Sequence, residues 1–434
     1  MIATPGGALR GVVTPPGDKS ISHRAIMLAA LAEGASRVEH LLEGEDVLRT
    51  VAAFRAMGVA IERDTQGVYH IQGVGLDGLA EPEEVLEMGN SGTAMRLLAG
   101  VLASQPFFSI LNGDASLRQR PMGRVITPLT QMGARILSRQ QGRAPLVIQG
   151  GHLIPLEYQS PVASAQVKSA ILLAAINTAG GSAVQEPQLS RDHTERMLTA
   201  FGAQVQRDGL RVWVEGWPTL VGQNLQVPGD ISSAAFPLVA ALLVPGSDIL
   251  LQGVGVNPTR TGLLELLTAM GASIETTNPR QYGGEPVADL RVRHAPLKGI
   301  CVPPELIAKT IDEFPIFFVA AALAEGETVL TEASELRVKE SDRIHAMAVA
   351  LGAIGAQVTE QADGLRIVGQ PDGLAGAATV DSCTDHRVAM SLLVAGLCCR
   401  SPVTVLRCAN INTSFPAFRQ QMTALGASLT GGAS

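Results

Sequence analysis

The sequence predicts an α/β protein of two domains, built from six similar units with three in each. Two patterns and a length point there. A glycine-centred echo recurs six times, and each repeat also holds an apolar helix that opens on polar residues. The 434 residues exceed what a single hydrophobic core usually fills.

In each echo a helix-like segment ends on a large hydrophobic residue, followed by Gly, a small residue and a strand-like run. The copies are Met57-Gly58-Val59, Met132-Gly133-Ala134, Phe201-Gly202-Ala203, Met270-Gly271-Ala272, Ile354-Gly355-Ala356 and Leu425-Gly426-Ala427. From Gly58 to Gly426 the glycines are spaced by 75, 69, 69, 84 and 71 residues. That period is too long for the common solenoid repeats and long enough for a small unit of several strands and helices. Glycine suits the residue just past a helix, where the chain turns left-handed. Short runs such as Arg135-Ile136-Leu137 and Ala203-Gln204-Val205 read as the strands that follow.

An earlier helix in each repeat starts near Ser20, Asn90, Ser164, Asp230, Asp312 and Asp385. Ser, Asn and Asp cap helices because a side-chain oxygen accepts an orphan backbone N–H. The bodies that follow, AIMLAALAEG or FVAAALAEG, are apolar all round, which predicts helices buried on most sides.

Composition narrows the function. Charged residues are 17% of the chain and apolar ones 46%, a globular balance. Aromatics are only 3%, so the cores must be built from Ala, Leu, Val and Ile. A net charge of -7 gives no broad basic field for nucleic acid or acidic lipid, so an anionic ligand must be held by local cations. The longest apolar runs, Phe236 to Val244 and Ser391 to Cys399, are shorter than the roughly 18 residues of a membrane span. The N-terminal residues show no secretory signal pattern. Five cysteines without C-x-x-C spacing fit reduced thiols in the cytosol and make zinc unexpected. A cytoplasmic protein with no metal and no organic cofactor is expected.

Basic residues fall at the starts of the apolar helices. Helix N-termini expose unpaired N–H groups and partial positive charge, which suit phosphate and carboxylate. Gly17-Asp18-Lys19-Ser20-Ile21-Ser22-His23-Arg24 sets Lys19, two hydroxyls and Arg24 around one such end. Asn90-Ser91-Gly92-Thr93-Ala94-Met95-Arg96 is similar, and Gly92 leaves room for a ligand to reach the backbone. Neither has the glycine spacing of a P-loop or a Rossmann turn. Taken singly, these segments read as capped helices, Arg118-Gln119-Arg120-Pro121 as a surface loop, and the charged run from Glu335 to Arg343 as a solvated face. Ser164 and Asp385-His386-Arg387 read as caps. Taken together, Lys19, Arg24, Arg120, Arg343 and Arg387 supply five cations, and Asp312 and Glu340 supply two candidate proton carriers.

These residues resemble one family, 5-enolpyruvylshikimate-3-phosphate (EPSP) synthase, over essentially the whole chain. The segments that carry the resemblance are Gly17-Asp18-Lys19-Ser20 with Arg24, Gly89 to Arg96, Arg120-Pro121-Met122, Ser164-Ala165-Gln166, Arg337 with Lys339-Glu340-Ser341-Asp342-Arg343, and Asp385-His386-Arg387. The resemblance implies two domains, each an inverted α/β barrel of three βαβαββ repeats. It implies a discontinuous domain of residues 1–16 and 229–434, an inserted domain of residues 17–228, and an active site in the cleft between them. It implies no metal and no cofactor. The expected partners are two small anions, phosphoenolpyruvate and shikimate 3-phosphate, bound by a monomer whose cleft closes on them.

Residue by residue, the resemblance makes Lys19, Ser20, Arg24, Ser164, Ala165, Gln166, Ser190, Arg191, Asp312 and Lys339 ligands of shikimate 3-phosphate. It makes Lys19, Asn90, Gly92, Arg120, Gln166, Arg343, His386 and Arg387 the phosphoenolpyruvate shell. The implied reaction is addition then elimination. Asp312 takes the proton of the 5-hydroxyl, with Lys19 as a rival base. Glu340 protonates the methylene carbon and later removes a proton as phosphate leaves. Two features depart from the family pattern: Thr413 stands where many members have Lys, and Glu335 where many have Asn.

Four segments resemble the glyphosate-tolerant subclass: Gly17 to Ser20, Ser164-Ala165-Gln166-Val167-Lys168, Arg191-Asp192-His193-Thr194-Glu195 and Asn257-Pro258-Thr259-Arg260. Leu97 stands where sensitive members commonly have Pro, while Gly92 is the small residue of sensitive members. Three rival readings are weaker. The enolpyruvyl transferase acting on UDP-N-acetylglucosamine usually has a Cys in the loop around Arg120, and no Cys precedes Cys301 here. RNA 3′-phosphate cyclase fits the acidic balance poorly. Intact Asp312, Glu340 and Lys19 argue against a binding protein without turnover.

Overall fold

The computed structural model describes residues 1–431. Six helices occupy Glu45–Ala56, Gly123–Gln131, His193–Ala200, Gly262–Ala269, Arg343–Ala353 and Phe418–Ala424. Each stops two residues before an echo glycine, and all six of those glycines have φ between 86° and 107°. A side chain there would be strained, so the echo is a chemical requirement of the helix exit. Strands follow directly, as at Ala60–Arg63 and Arg135–Arg139. The strand expected over 203–205 begins only at Val205, because the Ala203 N–H still bonds the Leu198 carbonyl at 2.9 Å.

The apolar helices form the second set: α1 (Lys19–Leu31), α2 (Gly92–Ala103), α3 (Ala165–Ala175), α4 (Ile231–Leu243), α5 (Phe314–Ala322) and α6 (His386–Leu397). Four have a side-chain cap, at the expected residue in α3, α4 and α6, and in α2 at Ser91, beside the expected Asn90. Ser91, Ser164, Asp230 and Asp385 each accept a bond from a backbone N–H one to three residues into the helix. Two starts differ. Ser20 lies inside α1, and Asp312 lies in the turn before α5, whose cap position is Glu313.

The sheets repeat one plan. A central strand has a parallel neighbour on one side and an antiparallel neighbour on the other, and the last strand pairs beyond it. Glu157–Gln159, Gly181–Gln185, Arg211–Glu215 and Val205–Asp208 show it in order. Among the described residues, five sheets have four strands. In the sixth the parallel neighbour shrinks to isolated bridges, Lys298 with Glu325 and Cys301 with Val329. Three sheets borrow a strand from far along the chain. Ile2–Thr4 pairs with Val403–Leu406, Arg10–Val13 with Asp248–Gly255, and Asn224–Gln226 with Glu33–Glu39.

The chain divides into two compact units. One holds Met1–Asp18, Pro228–Gln281 and the chain from Pro286 onward; the other holds Lys19–Val227 with Tyr282–Glu285. In the second unit α1, α2 and α3 form the core, and in the first α4, α5 and α6 do. Small residues let these helices approach closely. No helix of the described residues is long and apolar enough to cross a membrane.

A Cβ added at Gly100 in α2 would sit 2.2 Å from the Ala170 carbonyl oxygen of α3. Gly100→Ala therefore forces two core helices apart. It is expected to cost about 1–3 kcal/mol of stability by urea unfolding, as core overpacking does.

Candidate active site

In the second unit the starts of α1, α2 and α3 are tied to one another. Arg24 is buried in α1, where its Nε donates to Thr194 Oγ1 at 2.6 Å, Nη1 to the Ser20 carbonyl at 2.8 Å and Nη2 to Ser169 Oγ at 2.8 Å. Gln166 accepts from Arg96 Nη1 at 2.6 Å and donates to Thr93 Oγ1 at 2.9 Å, which joins the first turns of α2 and α3. Arg120 is buried rather than solvated and donates to Asn90 Oδ1, and Asn90 donates to Asp114 at 2.8 Å. Lys19 forms an ion pair with Asp46. Ser190 donates to Glu186, which also pairs with the fully buried Lys168 at 2.8 Å. Ser164 caps α3, Ala165 is its first residue, and Arg191 is half-buried just before the His193–Ala200 helix.

Gly92 is buried between two of these cations. A Cβ there would lie 2.9 Å from Arg96 Nη1 and 3.2 Å from Arg120 Nη1. Both atoms end flexible side chains, so a methyl group would displace guanidinium groups without breaking the backbone.

In the first unit the charged run from Glu335 to Arg343 is only partly a solvated face. Arg343 is 0% exposed and donates Nε to Asp385 at 2.9 Å, Nη2 to Glu340 at 2.6 Å and Nη1 to Asp312 at 3.4 Å. One planar fork thus joins three carboxylates, a task an ammonium could not match. The carboxylates hold the guanidinium firmly protonated against the opposing effect of burial. Burial works to raise the Asp385 pKa, and Arg343 beside it outweighs this and holds it below the usual carboxylate value. Arg387, in the first turn of α6, donates to the Asp312 carbonyl at 3.0 Å and approaches Glu313 at 3.6 Å. His386 is buried at the head of the same helix, and Lys339 is half-buried beside Glu340. Cys383 and Thr384, just before that helix, both have left-handed backbones (φ 54° and 56°), uncommon for residues with side chains.

Each unit therefore gathers its own set of the expected residues. Lys19, Ser20, Arg24, Asn90, Gly92, Arg120, Ser164, Ala165, Gln166, Ser190 and Arg191 belong to one, and Asp312, Lys339, Glu340, Arg343, His386 and Arg387 to the other. Arg96, Thr93, Ser169, Thr194 and Asp46 enter these networks without having been singled out as site residues. Arg96, Thr93 and Thr194 lie inside motif segments, so they were within reach; Asp46 and Ser169 lie outside them.

A match to the EPSP synthase (3-phosphoshikimate 1-carboxyvinyltransferase) family spans residues 3–422. The chain belongs to the EPSP synthase family. A 3-phosphoshikimate 1-carboxyvinyltransferase of Magnetococcus marinus is 64% identical, over 96% of this chain and 94% of that protein. Another, of Alkalilimnicola ehrlichii, is 57% identical over 99% and 96%. An EPSP synthase structure from Acinetobacter baumannii superposes with a TM-score of 0.89 at 48% identity, covering 98% of both chains. The enolpyruvyl transferase NikO from Streptomyces tendae shares the fold, with a TM-score of 0.80 at 17% identity over 98% of this chain and 97% of that one. The fold is the enolpyruvyl transferase fold, as the family resemblance implies.

Segments 17–20 and 257–260 meet in one buried cluster, and segments 164–168 and 191–195 in another. Asp18 meets Arg260 at 3.0 Å in the first unit. Lys168 meets Glu195 at 2.7 Å in the second, where Thr194 also holds Arg24.

Asp385→Asn removes a buried charge paired with Arg343 and is expected to cost about 3 kcal/mol at pH 7. Because the Asp385 pKa is lowered on folding, its contribution is present above the unfolded value and fades as pH falls through it. The stability gap between wild type and variant, from denaturant titrations, should therefore narrow below about pH 4.

Proposed function

We propose that this chain is the EPSP synthase itself: it transfers the enolpyruvyl group of phosphoenolpyruvate to the 5-hydroxyl of shikimate 3-phosphate and releases phosphate. The observation that carries this reading is the match over nearly the full chain to enzymes of that name, with the motif residues in place. The reaction belongs to the shikimate pathway of aromatic amino-acid synthesis.

The residue roles follow from chemistry. Two multiply charged anions must be held against their repulsion, which falls to preorganised cations at helix starts. In our reading Arg24 with Ser20, Ser164, Ala165, Gln166, Ser190, Arg191 and Lys339 binds shikimate 3-phosphate. Asn90, Gly92, Arg120, Gln166, Arg343, His386 and Arg387 bind phosphoenolpyruvate, and Lys19 serves both substrates. Asp312 accepts the proton of the 5-hydroxyl as its oxygen attacks C2 of phosphoenolpyruvate, while Glu340 delivers a proton to C3. Glu340 then takes a proton back from C3 as the C–O bond to phosphate breaks. General acid–base steps of this kind contribute about 10²–10⁴-fold. Thr413 adds no charge to the shell; its hydroxyl donates to the Asn410 carbonyl at 2.7 Å. We propose that the protein acts as a cytoplasmic monomer.

We also propose partial to substantial tolerance of glyphosate without a Gly92 change, on the strength of the four subclass segments and Leu97. Competitive inhibition against phosphoenolpyruvate at low micromolar glyphosate would refute this.

Purified protein is expected to release phosphate from phosphoenolpyruvate only when shikimate 3-phosphate is present. Tight binding of shikimate 3-phosphate with no release would instead mark a binding protein without turnover. Glu340→Gln should lower kcat by at least a hundredfold with little change in either KM, and equal losses in both would remove its assigned role. Gly92→Ala should raise the KM for phosphoenolpyruvate several-fold while kcat changes less, because the added methyl crowds Arg96 and Arg120.

A further inference from the structure

The first unit contains a second buried arginine, Arg260, which is not one of the expected substrate ligands. It is 2% exposed, and its Nη1 reaches Asp18 at 3.0 Å while Nη2 reaches Asp230 at 3.3 Å and Ser232 Oγ at 2.8 Å. Asp18 and Asp230 are not ordinary partners. Each lies beside a place where the chain passes from one unit to the other, at 18/19 and at 227/228. The two passing segments are stitched together there. Gly17 and Gly229 form an antiparallel bridge, Asp18 N–H donates to the Pro228 carbonyl at 2.8 Å, and Asp230 N–H donates to the Pro16 carbonyl at 2.8 Å.

Arg260 is itself fixed. It follows the strand Asp248–Gly255, which bonds to Gly229 through Gly253 and Gly255, and a turn built on the Asn257 side chain presents it. The network also continues outward. Ser232 donates to Glu313, Glu313 lies 3.6 Å from Arg387, and Glu313 follows Asp312 in the chain. The charged groups around Arg260 are thus Asp18, Asp230, Asp312 and Glu313, with Arg387 beyond them. Burial, then the neighbouring Asp18 charge, pushes the Asp230 pKa up to about 6 even though Arg260 and Arg387 oppose this. The two carboxylates would repel strongly without the guanidinium between them.

We infer that Arg260 is a positioning residue for the transfer reaction: it clamps the two crossing segments, and so sets both the residue that precedes Lys19 and, through Ser232 and Glu313, the turn that carries Asp312. This rests on the roles given above to Lys19 and Asp312. A plain structural role, neutralising buried charge, makes a different forecast, and a charge-balanced pair of substitutions separates the two.

The experiment uses the full-length protein, with wild-type phosphate release measured beside the variants. Inactive wild type would overturn the proposed reaction, and with it the assigned role of Arg260; active wild type leaves Arg260 to the variants. Arg260→Gln alone should lower the thermal midpoint markedly. Adding Asp230→Asn, which keeps the Oδ1 acceptor that caps α4, should restore most of that loss. If Arg260 positions the site, kcat/KM of this pair stays at least tenfold below wild type although it is folded. Return to within twofold of wild type would overturn the proposal. Arg260→Lys gives an independent reading, because it keeps the charge and loses the fork. It should stay folded with kcat/KM reduced tenfold or more, and unchanged kinetics in this variant would equally overturn the proposal.

Discussion

The constraint on which the rest depends is that one helix in every repeat has no polar face. A helix such as Phe314–Ala322, buried at every position, can meet neither water nor a charged partner along its length. Its backbone satisfies itself, except for the first N–H groups and last carbonyls. Charge can therefore gather only at the helix starts. With three such helices packed together in each unit, three starts come together, and caps and arginines collect there for want of any other place. The ligand chemistry of this family follows from how its cores are packed.

The cations are seldom held by one partner. Arg343 serves three carboxylates, Arg24 serves two hydroxyls and a carbonyl, and Arg120 is held through Asn90. Such networks fix side chains before any anion arrives, so less reorganisation is left for the reaction itself. They also explain how an acidic protein binds two anions. Its negative charge is spent locally in orienting arginines.

Much of this was legible in the sequence because it rests on local rules. The six glycines declared themselves since a left-handed helix exit tolerates little else, and Ser164, Asp230 and Asp385 were readable as caps for the same kind of reason. What was hidden lies in contacts across long separations. Nothing about Arg343 in a run of six charges distinguishes a buried residue from a solvated one until Asp385, 42 positions later, is placed beside it. Arg260 and Asp18 are 242 positions apart. The strand at Val205 began late because a helix-exit hydrogen bond took Ala203, and no periodicity records that competition.

The borrowed strands bear on the order in which the protein comes off the ribosome. Residues 19–227 are nearly self-sufficient: the sheet holding Glu33–Glu39 gains its edge from Asn224–Gln226, so this unit can close soon after that segment emerges. The other unit begins with two strands that have no partners yet. Arg10–Val13 waits for Asp248–Gly255, and Ile2–Thr4 waits nearly the whole length of synthesis for Val403–Leu406 and Ser428–Thr430. These strands are thus made early and paired late. A chain that stalls before residue 403 leaves Ile2–Thr4 with open backbone N–H and C=O groups, an edge on which another chain can pair wrongly.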